Sequence, residues 1–188
     1  LDVIIVSAVV TIEAAGIYKI IKQVAGMIGL LIDPIYYAIF PQFADLVAKE
    51  KRSRAYRFAV KSGIVSFLLV GSIALIVGGL SPWWLGFVFG AEFSSGWFPL
   101  VILLIVKVIE FTFNPIHPLF VALGHVKFES IFFILSSGIF LLSSWYLGNL
   151  YGLIGIIFAT GLGVLVLVLS KLIFILKKDD KNVGLALQ

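Results

Sequence analysis

The chain has 188 residues, of which 61% are hydrophobic and 13% are charged, and its formal net charge is +4. Soluble domains carry about a quarter charged residues, so this composition excludes a soluble core and indicates a membrane protein. The chain has no cysteine and only two histidines. Disulfides and thiolate chemistry are therefore excluded, and a metal site or another cofactor is not expected.

Two stretches, residues 62–91 and 130–170, contain no Asp, Glu, Lys, Arg or His. An apolar helix needs about 20 residues to cross a bilayer. Residues 62–80 therefore predict one crossing, and residues 130–170 predict two crossings folded back at residues 147–152. Strands of a membrane barrel alternate apolar and polar residues, whereas these stretches are apolar on all sides. The fold class is predicted to be all-α, a polytopic transmembrane helical bundle.

In chain order, hydropathy predicts one partial helix and then five complete helices. The partial helix is the apolar run at residues 3–12, which is shorter than a span and follows a start at Leu1 rather than Met. We interpret it as the tail of a helix whose beginning is missing, and the chain as a fragment of a larger protein. The complete helices are predicted at residues 13–46, 62–80, 97–113, 130–146 and 152–176.

The basic residues predict the orientation, because short cytoplasmic loops are enriched in Lys and Arg. Six cations lie between the first two complete helices: Lys49, Lys51, Arg52, Arg54, Arg57 and Lys61. We expect this segment and the C-terminus to be cytoplasmic. We interpret the segment as an ordinary basic loop; the alternative is an interfacial helix with Ala48, Ala55, Phe58 and Ala59 toward lipid. Topology and anionic lipid account for the net charge, so a nucleic-acid partner is not expected.

A polar stripe is predicted on the first complete helix. At 100° per residue, nine residues fall near one line: Tyr18, Lys19, Lys22, Gly26, Gly29, Asp33, Tyr36, Tyr37 and Phe40. Such a face is expected to line a bundle interior or a water-filled cavity. Two alternatives remain open: Lys19 reaches the interface as an anchor, or Asp33 satisfies backbone groups freed by a kink at Pro34.

A second polar set, Lys107, Glu110, Asn114 and His117, shares one face of the third complete helix. A Lys and a Glu one turn apart can neutralise each other. One interpretation is a structural pair that holds helices together, and the other is a cavity pair that exchanges partners with substrate or a coupling ion. His117 and His125 are interpreted as satisfied or interfacial histidines.

The last helix carries small residues four apart, at Gly155, Ala159 and Gly163, which predicts close helix packing. The chain contains no nucleophile elbow, phosphate-binding loop or zinc-protease motif. An enzyme is therefore not expected.

In these motifs the chain resembles the C-terminal half of polysaccharide and oligosaccharide flippases, of the O-antigen type, in the multidrug/oligosaccharidyl-lipid/polysaccharide exporter superfamily. The motifs are DVIIV at residues 2–6, EAAGIYK at 13–19, IKQVAG at 21–26, DP at 33–34, AIFPQFA at 38–44, GFVFGAEF at 86–93, PLFVALGH at 118–125 and YGLIG at 151–155. The resemblance implies that residues 1–176 form the C-terminal lobe of a two-lobe transporter, followed by a cytoplasmic basic tail at residues 177–188.

The resemblance also implies a function: translocation of a polyprenyl-pyrophosphate-linked oligosaccharide across the cytoplasmic membrane by alternating access. Lys19, Lys22 and Lys107 are the cavity cations that would receive the anionic head group. Partners would be this lipid-linked sugar, membrane lipid and an N-terminal lobe of the same protein. Without that lobe the fragment is expected to be inactive.

Three alternatives stay open. A cation-coupled exporter of the same superfamily would depend on the acidic and amide side chains Asp33, Glu110 and Asn114 as a coupling set. A membrane-embedded enzyme of envelope synthesis would need an aqueous acid or base, for which the long outer connection offers only Glu92. A membrane scaffold would show a packed face without cavity charges.

Overall fold

Five α-helices make up the computed structural model, which describes residue 6 and residues 9–185. The helices are α1 (Ile12–Ala48), α2 (Arg52–Phe89), α3 (Trp97–Phe113), α4 (Ile116–Ala122) and α5 (Val126–Leu185), with a 3-10 helix at Ala91–Gly96. No strand occurs among the described residues, and the predicted all-α bundle is confirmed. The partial helix predicted at residues 3–12 lies largely outside the described part of the chain.

The helices are long and apolar enough to cross a membrane several times. Three segments qualify directly: Arg52–Phe89, Ala91–Ala122 and Val126–Lys178. In α1 the segments Ile12–Leu30 and Ile32–Ala48 meet at a bend of 41°, and together they are also long and apolar enough for a crossing. The bend lies beside Pro34, which has no N–H to donate and whose ring collides with the carbonyl four residues earlier. The chain is thus a multi-pass membrane protein.

The basic segment between α1 and α2 is not the loop that we predicted. Only residues 49–51 connect the helices, and the rest forms the first turns of α2. The alternative interpretation, an interfacial helix, is wrong about the lipid contact of Ala55 and Ala59, because both are buried against Phe43 and Leu119. Hydropathy detects only the apolar middle of a helix, whereas Arg, Lys and Ala are good helix formers and extend α2 toward its N-terminus.

Helix α5 is a hairpin of two arms, residues 126–151 and 153–185. The helix breaks at Gly152, whose φ of 60° and ψ of −136° are not helical. Three residues later, Gly155 lies so close to the carbonyl of Leu147 that any Cβ on it would collide. The fold-back predicted at residues 147–152 is therefore confirmed, and each arm exceeds the about 20 residues that a crossing needs.

The two arms pack through the small residues of the second arm. Ala159 is fully buried, and a Cβ on Gly163 would lie 3.3 Å from the Cβ of Phe140. Ser136 Oγ of the first arm donates a hydrogen bond of 2.8 Å to the carbonyl of Gly163. The predicted packing role of this small-residue face is confirmed.

Helices α1 and α3 run parallel through the core. Where α3 begins, the chain lies beside Ile21 of α1. Further along, Phe111 of α3 lies against Gly29 of α1, and His117 of α4 then stacks on Tyr36 of α1. The buried face of α1 repeats at helical spacing: Ala15, Tyr18, Ile21, Ala25, Ile28 and Ile32. Because that face is turned inward, the opposite face of α1 is left exposed.

Candidate functional site

Lys107 and Glu110 form an ion pair within α3, with 2.7 Å between Nζ and Oε2. Their side chains are 23% and 39% exposed, and the ammonium lies 6.0 Å from the ring centre of Phe111. The predicted pairing is confirmed. Because both residues belong to the same helix, however, the pair does not itself join two helices, as the structural interpretation required.

A cavity of about 60 Å³ opens beside Glu110, between α3, α4 and the second arm of α5. Four polar side chains line it: Glu110, Asn114, His117 and Lys171. A space of this size with several polar partners can hold a water molecule. The structure thus brings together Glu110, Asn114 and His117, as their spacing predicted, and adds Lys171.

Beyond the cavity lies an ionic cluster that sequence reasoning missed. Glu129 Oε1 is 2.7 Å from Lys171 Nζ and 2.7 Å from His117 Nδ1, and these two nitrogens are 3.4 Å apart. The signal for it was present in the sequence, since Glu129 and Lys171 bracket the charge-free residues 130–170. Folding that stretch back on itself brings its two ends together.

The ammonium and the carboxylate of this cluster are largely buried, and the cluster connects three segments. The Lys171 side chain is 6% exposed and that of Glu129 is 17% exposed. Charges in such a place are retained only when they are paired, because removing one partner leaves an uncompensated buried charge. The cluster therefore ties α4 to both arms of α5, near the open end of the hairpin.

Histidine 117 connects this cluster with α1 and with the cavity. Its ring stacks on Tyr36 of α1, with 5.9 Å between ring centres and 23° between planes. Its side chain is 37% exposed, more than its partners Glu129 and Lys171. The interpretation of His117 as a satisfied histidine is confirmed by these contacts.

The cations predicted on α1 lie elsewhere, on its exposed face. Lys19, Lys22 and Asp33 are all exposed, and none of them lines the small cavity. Tyr18 does not belong to this stripe as predicted, because it is 1% exposed and packs in the core. Tyr18 lies at the edge of the predicted stripe, where the exposed face of α1 meets the buried face.

The family model described as Rft protein matches residues 2–184, so the chain belongs to the Rft family, a membrane family related to oligosaccharide-lipid flippases. No curated protein and no solved structure matches the chain.

Proposed function

We propose that this member of the Rft family moves a polyprenyl-pyrophosphate-linked oligosaccharide across the cytoplasmic membrane by alternating access, as the C-terminal lobe of a two-lobe transporter. The family match supports lipid-linked oligosaccharide flipping in general. The observation that carries the specific proposal is the exposed, charged face of α1, on a helix whose opposite face is buried in the lobe.

That face does not suit a lipid environment. A charged side chain in the middle of a membrane helix costs about 2.5–3.5 kcal/mol on insertion scales, and α1 exposes Lys19, Lys22 and Asp33. A water-filled path shared with a second lobe would remove this cost. The pyrophosphate of a lipid-linked sugar would then meet two ammonium groups, each of which can donate a charge-assisted hydrogen bond to it.

The polar groups of α3 and α4 supply the second element of the proposal. Lys107 is paired with Glu110, and Glu110 and Asn114 line the small cavity. In this proposal Lys107 exchanges Glu110 for the substrate phosphate, and Glu110 is then available to a coupling ion. The chain acts as a transporter rather than an enzyme, with its basic segment at residues 49–61 on the cytoplasmic side.

The test is the loss of transport by Lys22→Gln in the full-length parent protein, measured as translocation of lipid-linked sugar in reconstituted vesicles. Loss of one hydrogen bond to a charged group should weaken head-group binding roughly ten- to hundredfold. The control is Lys61→Gln, which removes an exposed lysine from α2 and should transport normally at equal abundance.

Asp33→Asn separates this proposal from the cation-coupled exporter. We expect Asp33→Asn to impair sugar translocation less than Lys22→Gln does. Normal transport by Lys22→Gln together with a complete loss in Asp33→Asn would refute the anionic-lipid mechanism and favour the exporter.

A further inference from the structure

Two ion pairs of the lobe meet at one polar cavity. Lys107 pairs with Glu110 on α3, with 2.7 Å between Nζ and Oε2, and Lys171 pairs with Glu129 between the two arms of α5, with 2.7 Å between Nζ and Oε1. Glu110 and Lys171 both line the cavity of about 60 Å³. The acidic member of one pair and the basic member of the other therefore face the same space.

The charges of these groups alternate in sign from α3 to α5. They run from the positive Lys107 to the negative Glu110, and from the positive Lys171 to the negative Glu129. Glu129 has a second donor, because Nδ1 of His117 lies 2.7 Å from its Oε1 and an ionised carboxylate only accepts hydrogen bonds. An alternating array of this kind can shift by one partner and still leave each carboxylate with a donor.

Lys171 lies at the edge of the cavity that it would cross. Its Nζ is 3.4 Å from Nδ1 of His117, which also lines the cavity. A lysine carries its charge on a flexible stem of four carbons, and a space of about 60 Å³ has room for only a few water molecules. A rotation of the stem into this space therefore moves the ammonium toward Glu110.

Under the proposed function, Glu110 needs a second partner. When Lys107 turns to the substrate phosphate, Glu110 loses its ammonium at a site where its side chain is only 39% exposed. A partly buried carboxylate without a partner costs free energy. Glu129 can release Lys171 at a lower cost, because its carboxylate keeps the donor on His117.

We propose that Lys171 is a positioning residue of the transport cycle, which takes over Glu110 when Lys107 leaves it. This exchange rests on the proposed function, in which Lys107 binds the substrate phosphate. Because Lys171 and Glu129 join the ends of the α5 hairpin, binding of the head group on α3 then weakens the salt bridge that closes the hairpin. A coupling ion that reaches Glu110 has to displace the ammonium of Lys171.

A double-variant cycle on the melting temperature of the purified full chain tests the exchange. If the two lysines share Glu110, removal of both leaves it without an ammonium, whereas removal of either one does not. The melting temperature of Lys107→Gln/Lys171→Gln should therefore fall about 2–4 °C further than the sum of the two single shifts. In a Glu110→Gln background the same two shifts should add.

The matched control is Lys49→Gln, which removes a lysine from an exposed ion pair with Asp45. Its shift should add to that of Lys107→Gln in both backgrounds. Additive shifts of Lys107→Gln and Lys171→Gln with Glu110 present would overturn the exchange, and so would an equal excess in the Glu110→Gln background.

A second comparison needs no variant of Lys171, in case its substitution prevents folding. If Lys171 takes over the carboxylate, Glu110 is still paired in Lys107→Gln. The double variant Lys107→Gln/Glu110→Gln should then melt no higher than Lys107→Gln alone. A clear rise of the melting temperature in the double variant would show that Glu110 had been left without a partner, and it would overturn the exchange.

Transport separates the exchange from the proposed function. In the full-length parent protein, Lys171→Gln should raise the half-saturating concentration of lipid-linked sugar roughly fivefold, because Lys107 then leaves Glu110 at a higher cost. In a Glu110→Gln background Lys171→Gln should have no such effect, and an equal effect there would overturn the exchange. Normal transport by Lys107→Gln would overturn the proposed function and with it the role of Lys171 in transport, even if the melting temperatures show a shared carboxylate.

Discussion

Glu129 and Lys171 flank the long charge-free stretch of the chain, and in the folded protein they form an ion pair with 2.7 Å between Oε1 and Nζ. The break at Gly152 lies near the middle of the sequence between them. The hairpin thus joins its ends by a salt bridge and closes its turn by the contact of Gly155 with Leu147. A pair of residues therefore defines each end of the hairpin.

The ion pair predicts an asymmetry between two substitutions. Glu129→Gln leaves Lys171 buried without a carboxylate and should cost roughly 3–5 kcal/mol. Lys171→Gln should cost less, because Glu129 then keeps its contact of 2.7 Å with His117, whereas Lys171 in Glu129→Gln keeps only one of 3.4 Å. The Glu129→Gln/Lys171→Gln double variant should recover most of the loss. Thermal unfolding of the purified protein tests this, and equal melting temperatures for all variants would contradict the buried-pair argument.

The hairpin turn predicts that alanine substitutions at two glycines of α5 differ in their effect on stability. In Gly155→Ala the new methyl group meets the backbone carbonyl of Leu147, which cannot rotate away as a side chain can. We expect destabilisation at the upper end of the about 1–3 kcal/mol that overpacking costs. The control, Gly138→Ala, adds a methyl group with no atom within 4 Å and should be neutral or stabilise the helix slightly. Thermal unfolding of both variants measures the difference.

Substitutions in the Lys107–Glu110 pair should affect transport and membrane abundance differently. If Lys107 binds substrate, Lys107→Gln should accumulate in the membrane but lose translocation, and Lys107→Gln/Glu110→Gln should not regain it. Quantitative blotting beside the vesicle assay gives both values. A poorly accumulating single variant, rescued in abundance and in transport by the double variant, would show that the pair is structural.

The pKa of His125, which burial of the ring lowers below its ordinary value, predicts a loss of stability in mild acid. The folded protein binds a proton on His125 less tightly than the unfolded chain does, so the unfolded state takes up more protons below its pKa of about 6.5. Stability should therefore fall as the pH drops from about 6.5 toward the lower folded-state pKa. His125→Gln should show a smaller loss of melting temperature between pH 7.5 and 5 than the wild type. Parallel pH curves for the two proteins would rule out this contribution.

The orientation of the chain is tested by cysteine labelling in intact cells that express the parent protein. Ser53 and Ser94 are exposed near opposite ends of α2, and this chain contributes no cysteine. An impermeant maleimide should label Ser94→Cys and not Ser53→Cys, because the basic start of α2 is predicted to be cytoplasmic. Labelling of Ser53→Cys alone would reverse the orientation.

The amino-acid sequence determined the fold class and the positions of the spans, because the absence of charge over about 20 residues is decided by the energy of each side chain in lipid. It also predicted the Lys107–Glu110 pair and the small-residue packing of α5, since both depend on spacing along one helix. The predicted N-terminal end of α2 was wrong, because the charged residues that extend the helix there give no hydropathy signal.

Only the tertiary structure could decide which groups meet from different helices. His117, Glu129 and Lys171 are brought together by the α5 hairpin and by the turn into α4, and helical periodicity carries no information across such turns. The packing of α1 likewise decided that Tyr18 is buried while Lys22 is exposed. The sequence of a helix determines which residues share a face. The neighbouring helices determine which face is buried, because burial results from contacts between elements.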